Sequence, residues 1–250
     1  MKLLIDAGNT RIKWALADGS EADGQTWLRS GVLPVGQAGE LSQQFAGLQG
    51  VRQVWASNVA GETVAQHIRD AGADLSVQPR FIIAQEAQCG VRNGYSSPAQ
   101  LGSDRWAALI AAWHLARGTC LVVNSGTATT VDALSATGEF IGGLIFPGVE
   151  LMQRSLRDAT AQLRAAQLKP EQGKYAPFPL NTADALYSGA LQASCGAIER
   201  QHALLGDSSA PVVLSGGAEA VLRNRLNVPL RIVDNLVLQG LWLIAQEANA

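Results

Sequence analysis

The chain contains 250 residues, of which 47% are hydrophobic and 16% are charged. This length allows one large or two small domains with enough apolar residues for a stable core. The formal net charge is −2, and lysine and arginine form no cluster in the sequence, which argues against nucleic acid as a partner.

The cysteines and the N-terminal segment indicate the compartment. Cys89, Cys120 and Cys195 lie far apart and lack Cys-x-x-Cys spacing, so we expect reduced thiols and no zinc site. The chain begins with a strand-like segment instead of a secretion signal. No apolar run in the sequence approaches the roughly 18–20 residues that a membrane span requires. We therefore expect a cytoplasmic protein with no membrane partner.

The beginning of the chain has the pattern of a β-hairpin. A short apolar run at residues 3–5 precedes Asp6, and residues 11–16 then alternate between polar and apolar side chains, as a strand does. The polar turn between them contains Gly8, Asn9 and Thr10. Gly8 permits a close approach of backbone N–H groups, the next two side chains can donate hydrogen bonds, and Asp6 can face a metal. This turn is therefore a candidate site for a phosphate and its Mg²⁺.

A second stretch of the chain repeats this pattern. Moving 118 positions along the sequence aligns three pairs of residues, namely Asp6 with Asn124, Gly8 with Gly126 and Leu16 with Leu134. One such hairpin can arise by chance. Two hairpins, each opening about half of the chain, indicate a duplicated fold with a ligand between the halves. We place these halves at residues 1–118 and 119–250.

Strands and helices alternate along the rest of the chain, which predicts an α/β layered architecture. After a turn at Asp18-Gly19, strands are predicted at residues 25–30, 51–56, 80–84, 121–123, 139–142, 211–214 and 230–233. Helices are predicted at residues 41–48, 63–71, 105–117, 149–163, 182–205, 218–226 and 235–248. Residues 90–101 and 169–180 are predicted to be loops, and residues 143–148 a glycine-rich turn.

Common nucleotide motifs are absent from the sequence, since it contains neither the P-loop pattern nor the Rossmann glycine pattern. The glycine-containing elements that remain are the two hairpin turns, the turn at residues 143–148 and Ser215-Gly216-Gly217. Two phosphate turns with a glycine-rich adenosine turn are typical of the superfamily of actin, sugar kinases and Hsp70 ATPases. A single hairpin would indicate only a tight turn, but the duplication favours nucleotide binding.

A polar segment, Gly102-Ser103-Asp104-Arg105, precedes the third predicted helix. The simpler interpretation is a helix capped by Ser103 or Asp104, followed by a solvated arginine. The functional interpretation is that a kinase requires a base for the accepting hydroxyl and a cation for its charged substrate, and this segment contains both. The helix dipole favours the charged form of Asp104, which makes it a weak base. A weak base suffices for a loose transition state in which the proton leaves late.

Seven segments occur in a fixed order along the whole chain. They are Asp6-Ala7-Gly8-Asn9-Thr10-Arg11-Ile12-Lys13, Gly94-Tyr95, Gly102-Ser103-Asp104-Arg105, Gly126-Thr127-Ala128-Thr129-Thr130-Val131-Asp132, Gly142-Gly143-Leu144-Ile145-Phe146-Pro147-Gly148, Asn181-Thr182-Ala183-Asp184-Ala185 and Leu214-Ser215-Gly216-Gly217. In this combination the chain resembles the type III pantothenate kinase family. The resemblance implies an actin-like ATPase fold, as in acetate and sugar kinases, Hsp70 and actin, made of two related ribonuclease H-like halves. It also implies ATP-dependent phosphorylation of pantothenate to 4′-phosphopantothenate, the first step of coenzyme A biosynthesis.

The resemblance implies a role for each hairpin turn. Asp6 would serve Mg²⁺, and the two turns would bind the phosphates of ATP. The ATP-binding residues implied in this way are Asp6, Ala7, Gly8, Asn9, Thr10, Arg11, Ile12, Lys13, Gly126, Thr127, Thr129 and Gly217.

The resemblance also implies a pantothenate pocket. Asp104 would be the catalytic base at the primary hydroxyl, and Arg105 would face the carboxylate of pantothenate or the transferring phosphoryl group. The pantothenate-binding residues implied are Tyr95, Gly102, Ser103, Asp104, Arg105 and Thr182. Because the family forms homodimers, Thr182 would reach the pocket from the neighbouring subunit.

The chain departs from the family pattern at Asn124. The family's second turn usually begins with Asp, which helps to hold a monovalent cation such as K⁺ or NH₄⁺. An asparagine keeps one carbonyl oxygen but loses the charge, so we expect this cation to bind more weakly or differently.

Two alternatives to pantothenate phosphorylation stay open at this point. One is another small-molecule kinase of the same superfamily that acts on a sugar or an acyl acid. The other is a catalytically idle regulatory protein, because some relatives were described as Bvg accessory factors. The presence of Asp6, Asp104 and Arg105 argues against an idle protein, and the missing basic cluster argues against direct DNA regulation.

Overall fold

The computed structural model describes residues 1–18, 27–160 and 173–248. Four predictions lie partly outside these residues, namely the turn at Asp18-Gly19, the first part of the strand at 25–30, the helix beyond position 160 and the first part of the loop at 169–180. The strands are β1 (Lys2–Ala7), β2 (Arg11–Ala17), β3 (Arg29–Pro34), β4 (Gln53–Asn58), β5 (Pro79–Phe81), β6 (Ala87–Gln88), β7 (Val91–Asn93), β8 (Cys120–Ser125), β9 (Ala128–Leu134), β10 (Glu139–Pro147), β11 (Val212–Ser215) and β12 (Leu230–Ile232). The α-helices are α1 (Leu41–Phe45), α2 (Glu62–Asp74), α3 (Ser103–Ala116), α4 (Val149–Ala159), α5 (Thr182–Leu204), α6 (Glu219–Leu222) and α7 (Leu236–Glu247), with 3₁₀ helices at Val35–Glu40 and Pro98–Gln100.

The chain divides into two compact units. The first consists of Met1–Arg117, Ser135–Ile141 and Asn235–Ala250, and the second of Gly118–Leu134 and Gly142–Asp234. These units are therefore not continuous along the chain. The halves at 1–118 and 119–250, which we defined from the positions of the functional motifs, stay a prediction.

The first unit contains a five-stranded sheet in the order β3-β2-β1-β4-β5. Strand β1 is central, because it pairs antiparallel with β2 on one side and parallel with β4 on the other. Its apolar side chains, such as Leu3 and Ile5, are fully buried with Ile12, Trp14 and Ile68 in one core. The carboxyl ends of β1 and β4 consequently lie next to each other, and the polar residues that follow the apolar runs meet there.

The second unit contains β12, β11, β8, β9 and the part of β10 from Gly142 onward as neighbouring strands in that order. Strand β8 pairs parallel with β11 and antiparallel with β9. The core includes Leu121, Val123 and Val212, with Leu191 and Ile198 from α5 packed against them. The arrangement around β8 thus repeats the arrangement around β1, as the duplicated sequence pattern predicts.

Most predicted elements are present, but some bounds are wrong. The strand predicted at residues 25–30 is β3 at Arg29–Pro34, since its position is set by pairing with β2 from Leu16↔Arg29 to Arg11↔Pro34. The loop predicted at 90–101 contains β7 and a 3₁₀ helix. The helix predicted at 218–226 shortens to α6.

The turn predicted at residues 143–148 is instead mostly strand, because β10 continues to Pro147. Gly143 lies so close to β9 that an added Cβ would collide with the carboxylate of Asp132 and the carbonyl of Val131. The glycine therefore marks a close approach between strands instead of a turn.

The described residues contain no helix that is long and apolar enough to cross a membrane.

Candidate active site

The first hairpin turn consists of the residues Gly8, Asn9 and Thr10. The backbone N–H of Gly8 donates to the carbonyl of Arg11 at 3.0 Å, which closes the turn. Asn9, Thr10 and Arg11 are exposed, so their side chains and the turn's backbone are accessible to a ligand. In contrast, the side chains of Ala7 and Ile12 are fully buried, so these two residues could contact ATP only through their backbone.

Asp6 lies at the end of β1, directly opposite Lys13 of β2. The pKa of Asp6 is raised to about 7, chiefly by burial and also by the negative charge of Asp104, while the positive charge of Lys13 lowers it. Asp6 and Asp104 are therefore close enough to repel each other electrostatically. A cation between or beside them would relieve this repulsion.

The second hairpin has the same burial pattern as the first. Position by position, β8 matches β1 and β9 matches β2 in which residues are buried, partly buried or exposed. The second turn is one residue shorter, because Gly126 N–H donates to the carbonyl of Ala128 at 2.9 Å. The alignments of Asp6 with Asn124 and of Gly8 with Gly126 are confirmed.

The alignment of Leu16 with Leu134 is wrong by one residue. Lys2 pairs with Ala17, whereas the equivalent Cys120 pairs with Leu134. Leu134 is therefore the counterpart of Ala17. The shorter second turn shifts the whole return strand by one position relative to the first hairpin.

The second turn has no charged pair at its base. Asn124 lies opposite Thr130 on β9 and beside Ser215 on β11, so Asn124 and both of its paired neighbours are neutral. Thr129 is fully buried, and its hydroxyl forms a 2.9 Å hydrogen bond with that of Ser125. The Thr129 side chain therefore holds the turn together, which leaves its backbone for contact with a phosphate.

Two glycines pack against the second turn. Gly216 has a φ of 105°, and an added Cβ there would collide with the backbone of Ser125. Gly148 donates its N–H to the carbonyl of Thr127 at 2.8 Å, and a side chain there would collide with the backbone of Gly126. Gly217 is exposed next to Gly216. The chain thus presents exposed backbone around this turn, as a phosphate or adenosine site requires.

Asp104 lies in the first turn of α3, where Gly102 is the N-cap. The prediction that Ser103 or Asp104 caps this helix is therefore wrong by one or two residues. The Asp104 carboxylate accepts a hydrogen bond from the backbone N–H of Arg105 at 2.8 Å. Burial raises the pKa of Asp104 in spite of this bond and of the nearby Arg105 charge, both of which lower it. Desolvation thus outweighs the backbone hydrogen bonds and the Arg105 charge, which makes Asp104 a stronger base than an ordinary aspartate.

Arg105 is buried, with only 6% of its surface exposed, so the interpretation of a solvated arginine is wrong. Its Nη1 donates to the hydroxyl of Tyr95 at 3.0 Å. The guanidinium also lies over the rings of Tyr95 and Phe140, 5.8 Å and 5.6 Å from their centroids. Cation–π contact and the hydrogen bond together fix this positive charge in one orientation.

Thr182 is the first residue of α5 and is exposed. The preceding Asn181 is the N-cap, and its side chain accepts a hydrogen bond from the N–H of Asp184 at 2.9 Å. Two strongly exposed apolar residues, Phe178 and Leu180, come just before it. Thr182 belongs to the second unit, whereas Tyr95, Asp104 and Arg105 belong to the first.

Sequence reasoning missed three residues around this site. Phe140 packs against Tyr95 with ring centroids 5.3 Å apart. Asn93 accepts a hydrogen bond from Tyr95 N–H at 3.0 Å, which shapes the Tyr95 loop. Ser57 is fully buried and forms a 2.8 Å hydrogen bond with Ser103. Only Ser57 had a usable signal, since it is a polar residue at the end of an apolar strand.

Solved structures share this architecture. A Baf family protein from Campylobacter jejuni has a TM-score of 0.61 at 20% identity, covering 99% of this chain and 100% of that chain. A protein from Sinorhizobium meliloti that is named as a 2-dehydro-3-deoxygalactonokinase has a TM-score of 0.59 at 17% identity, covering 99% of each chain. The chain therefore has the actin-like ATPase fold that sugar kinases share, with two related halves.

The sequence comparison is more specific. The family model of type III pantothenate kinase matches residues 2–203. The type III pantothenate kinase of Nitrosospira multiformis is 49% identical over 250 residues, which are 99% of this chain and 92% of that protein. The chain belongs to the type III pantothenate kinase family.

Proposed function

We propose that this protein transfers the γ-phosphoryl group of ATP to the primary hydroxyl of pantothenate, giving 4′-phosphopantothenate, the first step of coenzyme A biosynthesis. One observation carries the proposal beyond family membership. Asp104 and Arg105 are adjacent at the start of α3, and Asp104 is near enough to Asp6 to raise its pKa. A base, a cation and a phosphate turn thus occur together within the first unit.

Asp104 acts as the base that accepts the proton of the pantothenate hydroxyl. Burial raises its pKa above the ordinary value of an aspartate, which brings it nearer to the working pH, where a base is most effective. The hydrogen bond from Arg105 N–H holds the carboxylate in place. The proton therefore moves to a preoriented oxygen as the phosphoryl group arrives.

Arg105 binds the negative charge of the substrate, either the carboxylate of pantothenate or the transferring phosphoryl group. A guanidinium held by one hydroxyl and two aromatic rings loses little freedom on binding such an anion. Tyr95 consequently acts through Arg105 as well as by lining the pocket.

The phosphates of ATP bind at the two hairpin turns, at Gly8–Thr10 and at Gly126–Thr127. Lys13 adds a positive charge beside the first turn. The adenosine lies near Gly217. Backbone N–H groups in glycine turns are suited to phosphate oxygens because they approach closely and carry partial positive charge.

Asp6 serves a Mg²⁺ ion that arrives with ATP. The donor set fits this ion, because a carboxylate oxygen is the ligand type that Mg²⁺ prefers and the raised pKa of Asp6 indicates a charge that lacks full compensation. The described residues contain no cluster of three or more metal-binding side chains. That suits Mg²⁺, which usually keeps waters and binds one or two carboxylates plus the substrate phosphates. When bound, the ion neutralises charge on the phosphates.

Asn124 would hold a monovalent cation, K⁺ or NH₄⁺, with its amide oxygen as the available ligand. Thr130 and Ser215 flank Asn124 and supply only neutral oxygens, so this chain holds the cation more weakly than relatives with a carboxylate there.

The active protein is a homodimer in which Thr182 contributes to the pocket of the neighbouring subunit. Thr182 is exposed at the start of α5, and Phe178 and Leu180 expose 89% and 99% of their surface just before it. Large exposed apolar side chains are suited to an interface. This dimerisation makes the second copy a condition for full activity.

An ATP-dependent phosphorylation assay on the purified protein tests the proposal. Pantothenate, simple sugars and acetate are compared in Mg²⁺ with K⁺ or NH₄⁺. We expect turnover with pantothenate and little with the other acceptors. No turnover of pantothenate would refute the proposal, and turnover of a sugar or of acetate alone would indicate another kinase of the superfamily.

A further inference from the structure

Ser57 occupies a position that no part of the proposed mechanism uses. It lies near the end of β4, directly beside Asp6 of β1 in the parallel pairing, and is 0% exposed. Its Oγ is 2.8 Å from the Oγ of Ser103, the first residue of α3. Ser57 therefore connects the strand next to the Asp6 turn with the helix turn that contains Asp104.

A buried hydroxyl at this point requires an explanation. Taking a hydroxyl out of water is unfavourable unless it forms a hydrogen bond inside the protein. The neighbouring residues of β4, such as Ala56, show that this strand also accommodates a small apolar side chain in full burial. The serine is thus more costly than an alanine unless its bond to Ser103 is useful.

The backbone after Ser57 is held firmly. Asn58 donates from its side chain to the carbonyl of Gly61 at 2.9 Å and accepts from the N–H of Ala60 at 3.0 Å. The N–H of Val59 donates to the carbonyl of Ala7 at 3.0 Å. Ser57 therefore has a fixed position near the carboxyl end of β4, and a neighbouring helix can be held in place by a hydrogen bond to it.

The duplicated fold supplies an internal comparison. In the second unit, Ser215 lies beside Asn124 in the parallel pairing of β11 with β8, which is the position that Ser57 has beside Asp6. The backbone after Ser215 is held in a similar way to the backbone after Ser57. Ala218 N–H donates to the carbonyl of Ser125 at 3.0 Å, as Val59 N–H donates to the carbonyl of Ala7. Each unit therefore has a buried serine beside the polar residue that comes two positions before the glycine of the hairpin turn, namely Asp6 or Asn124. In the first unit, its partner is the residue that precedes Asp104.

We propose that Ser57 is a positioning residue, which through its hydrogen bond to Ser103 fixes the first turn of α3 and hence the carboxylate of Asp104 relative to the Asp6 turn. Ser57 itself does not contact the reacting atoms. Its loss leaves the substrates bound but lets the base move away from the accepting hydroxyl. This inference rests on the proposed kinase activity, which the wild-type protein establishes or refutes in the same assay.

The test is a double-mutant cycle of Ser57→Ala, Ser103→Ala and the double variant, with kcat and KM measured for pantothenate and ATP. Small displacements of a catalytic group lower the rate strongly, so we expect Ser57→Ala to reduce kcat about tenfold and to change KM less than about twofold. If the hydrogen bond carries the effect, the double variant is no slower than the slower single variant, because the two serines act as one unit.

The matched control is Ser194→Ala, which removes another fully buried serine hydroxyl, bonded to the carbonyl of Ala190 at 2.8 Å on α5. This variant is expected to keep the wild-type kcat. Circular dichroism melting establishes that each variant is folded.

Several results would overturn the proposal while wild-type turnover stands. These are an unchanged kcat in Ser57→Ala, additive losses in the double variant, or an equal loss in Ser194→Ala. If Ser57→Ala does not fold, Ser103→Ala is used to test the proposal. It removes the same hydrogen bond, and Ser103 is less buried than Ser57. An unchanged kcat in that variant would equally overturn the proposal. If the wild type itself does not turn over pantothenate, the proposed function fails and not merely this inference.

Discussion

Asp6 lies directly opposite Lys13 across the first hairpin, so that a carboxylate and an ammonium group stand at the base of the first turn. The equivalent positions of the second hairpin are Asn124 and Thr130, which are both neutral. The two hairpins are otherwise alike in the burial of every strand position. The two hairpins therefore share the same strand arrangement and burial pattern but differ in charge. The first has charged side chains at the base of its turn, whereas the second has only an amide and a hydroxyl there.

Restoring the acid at the second turn should strengthen cation binding. In Asn124→Asp, the added negative charge is expected to lower the K⁺ concentration for half-maximal activity about tenfold, because a unit charge near the cation is worth at least ~1 kcal/mol. Initial rates are measured against K⁺ concentration at constant ionic strength. Asn224→Asp, an exposed substitution in the turn after α6, is the control for added charge. An unchanged K⁺ response in Asn124→Asp would show that this position does not set cation use.

Removing the charge of Asp104 should stop catalysis without removing substrate binding. Asp104→Asn keeps the shape of the side chain but cannot accept the hydroxyl proton, so kcat is expected to fall by about 10²–10⁴-fold. Pantothenate affinity, measured by calorimetry, should change little. Asp70→Asn on the exposed face of α2 is the control. Retained turnover in Asp104→Asn would remove this residue as the base.

The N-cap of α3 should tolerate only glycine. A Cβ on Gly102 would lie 2.7 Å from Oδ1 of Asp104, although its φ of −55° suits any residue. Gly102→Ala is therefore expected to fold but to displace the carboxylate, which lowers kcat by about 10–100-fold. Gly36→Ala, where an added Cβ meets no atom within 4 Å, is the matched control and should be as active as the wild type. Equal activity of both variants would contradict the crowding of Asp104.

The hairpins could be predicted from the sequence because their signals are local. An apolar run, a polar turn and a period-two return strand are all visible within about 15 residues. The one-residue difference between the two turns was not visible, since an alignment by 118 positions matches Leu16 with Leu134 and hides the shift. Only the closing hydrogen bonds, Gly8 to Arg11 and Gly126 to Ala128, reveal it.

The environment of Arg105 and Asp104 could not be predicted from the sequence because it depends on distant residues. Phe140 lies beside Tyr95 only because β10 pairs with β7, 45 or more positions away along the chain. The same pairing buries Arg105, which its sequence neighbours gave no reason to expect. Burial also reversed the pKa shift that the helix position of Asp104 implied. Residue types and roles are thus readable from motifs, whereas their ionisation depends on tertiary packing.

The start of α5 should stabilise the protein in a pH-dependent way. Asp184 accepts hydrogen bonds from Lys174 N–H at 2.6 Å and from the Asn181 side chain at 2.7 Å, and these bonds lower its pKa. The stabilisation is therefore present above the unfolded pKa of about 3.9 and is lost as the pH falls through the lower folded value. Asp184→Asn is expected to lower the Tm near neutral pH, and its Tm difference from the wild type should shrink progressively as the pH falls below about 3.9. Melting is followed by circular dichroism, with Asp74→Asn as an exposed control. A Tm difference that does not vary with pH would contradict this role.

The proposed sharing of the active site between subunits can be tested by complementation. Thr182→Arg places a bulky charge at the exposed start of α5, and we expect it to inactivate a site formed with the partner subunit. We consider a hybrid dimer of one Asp104→Asn subunit and one Thr182→Arg subunit. One of its sites then combines the altered Asp104 position with the altered Thr182 position, and the other site combines the unaltered Asp104 and Thr182. Random pairing of equal amounts makes half of the dimers hybrids, so activity should recover to about a quarter of wild type. Two affinity tags isolate the hybrid, and its dimeric mass is measured by light scattering. An inactive hybrid would instead place Thr182 in the same subunit's site, and an active Thr182→Arg homodimer would place Thr182 outside the mechanism.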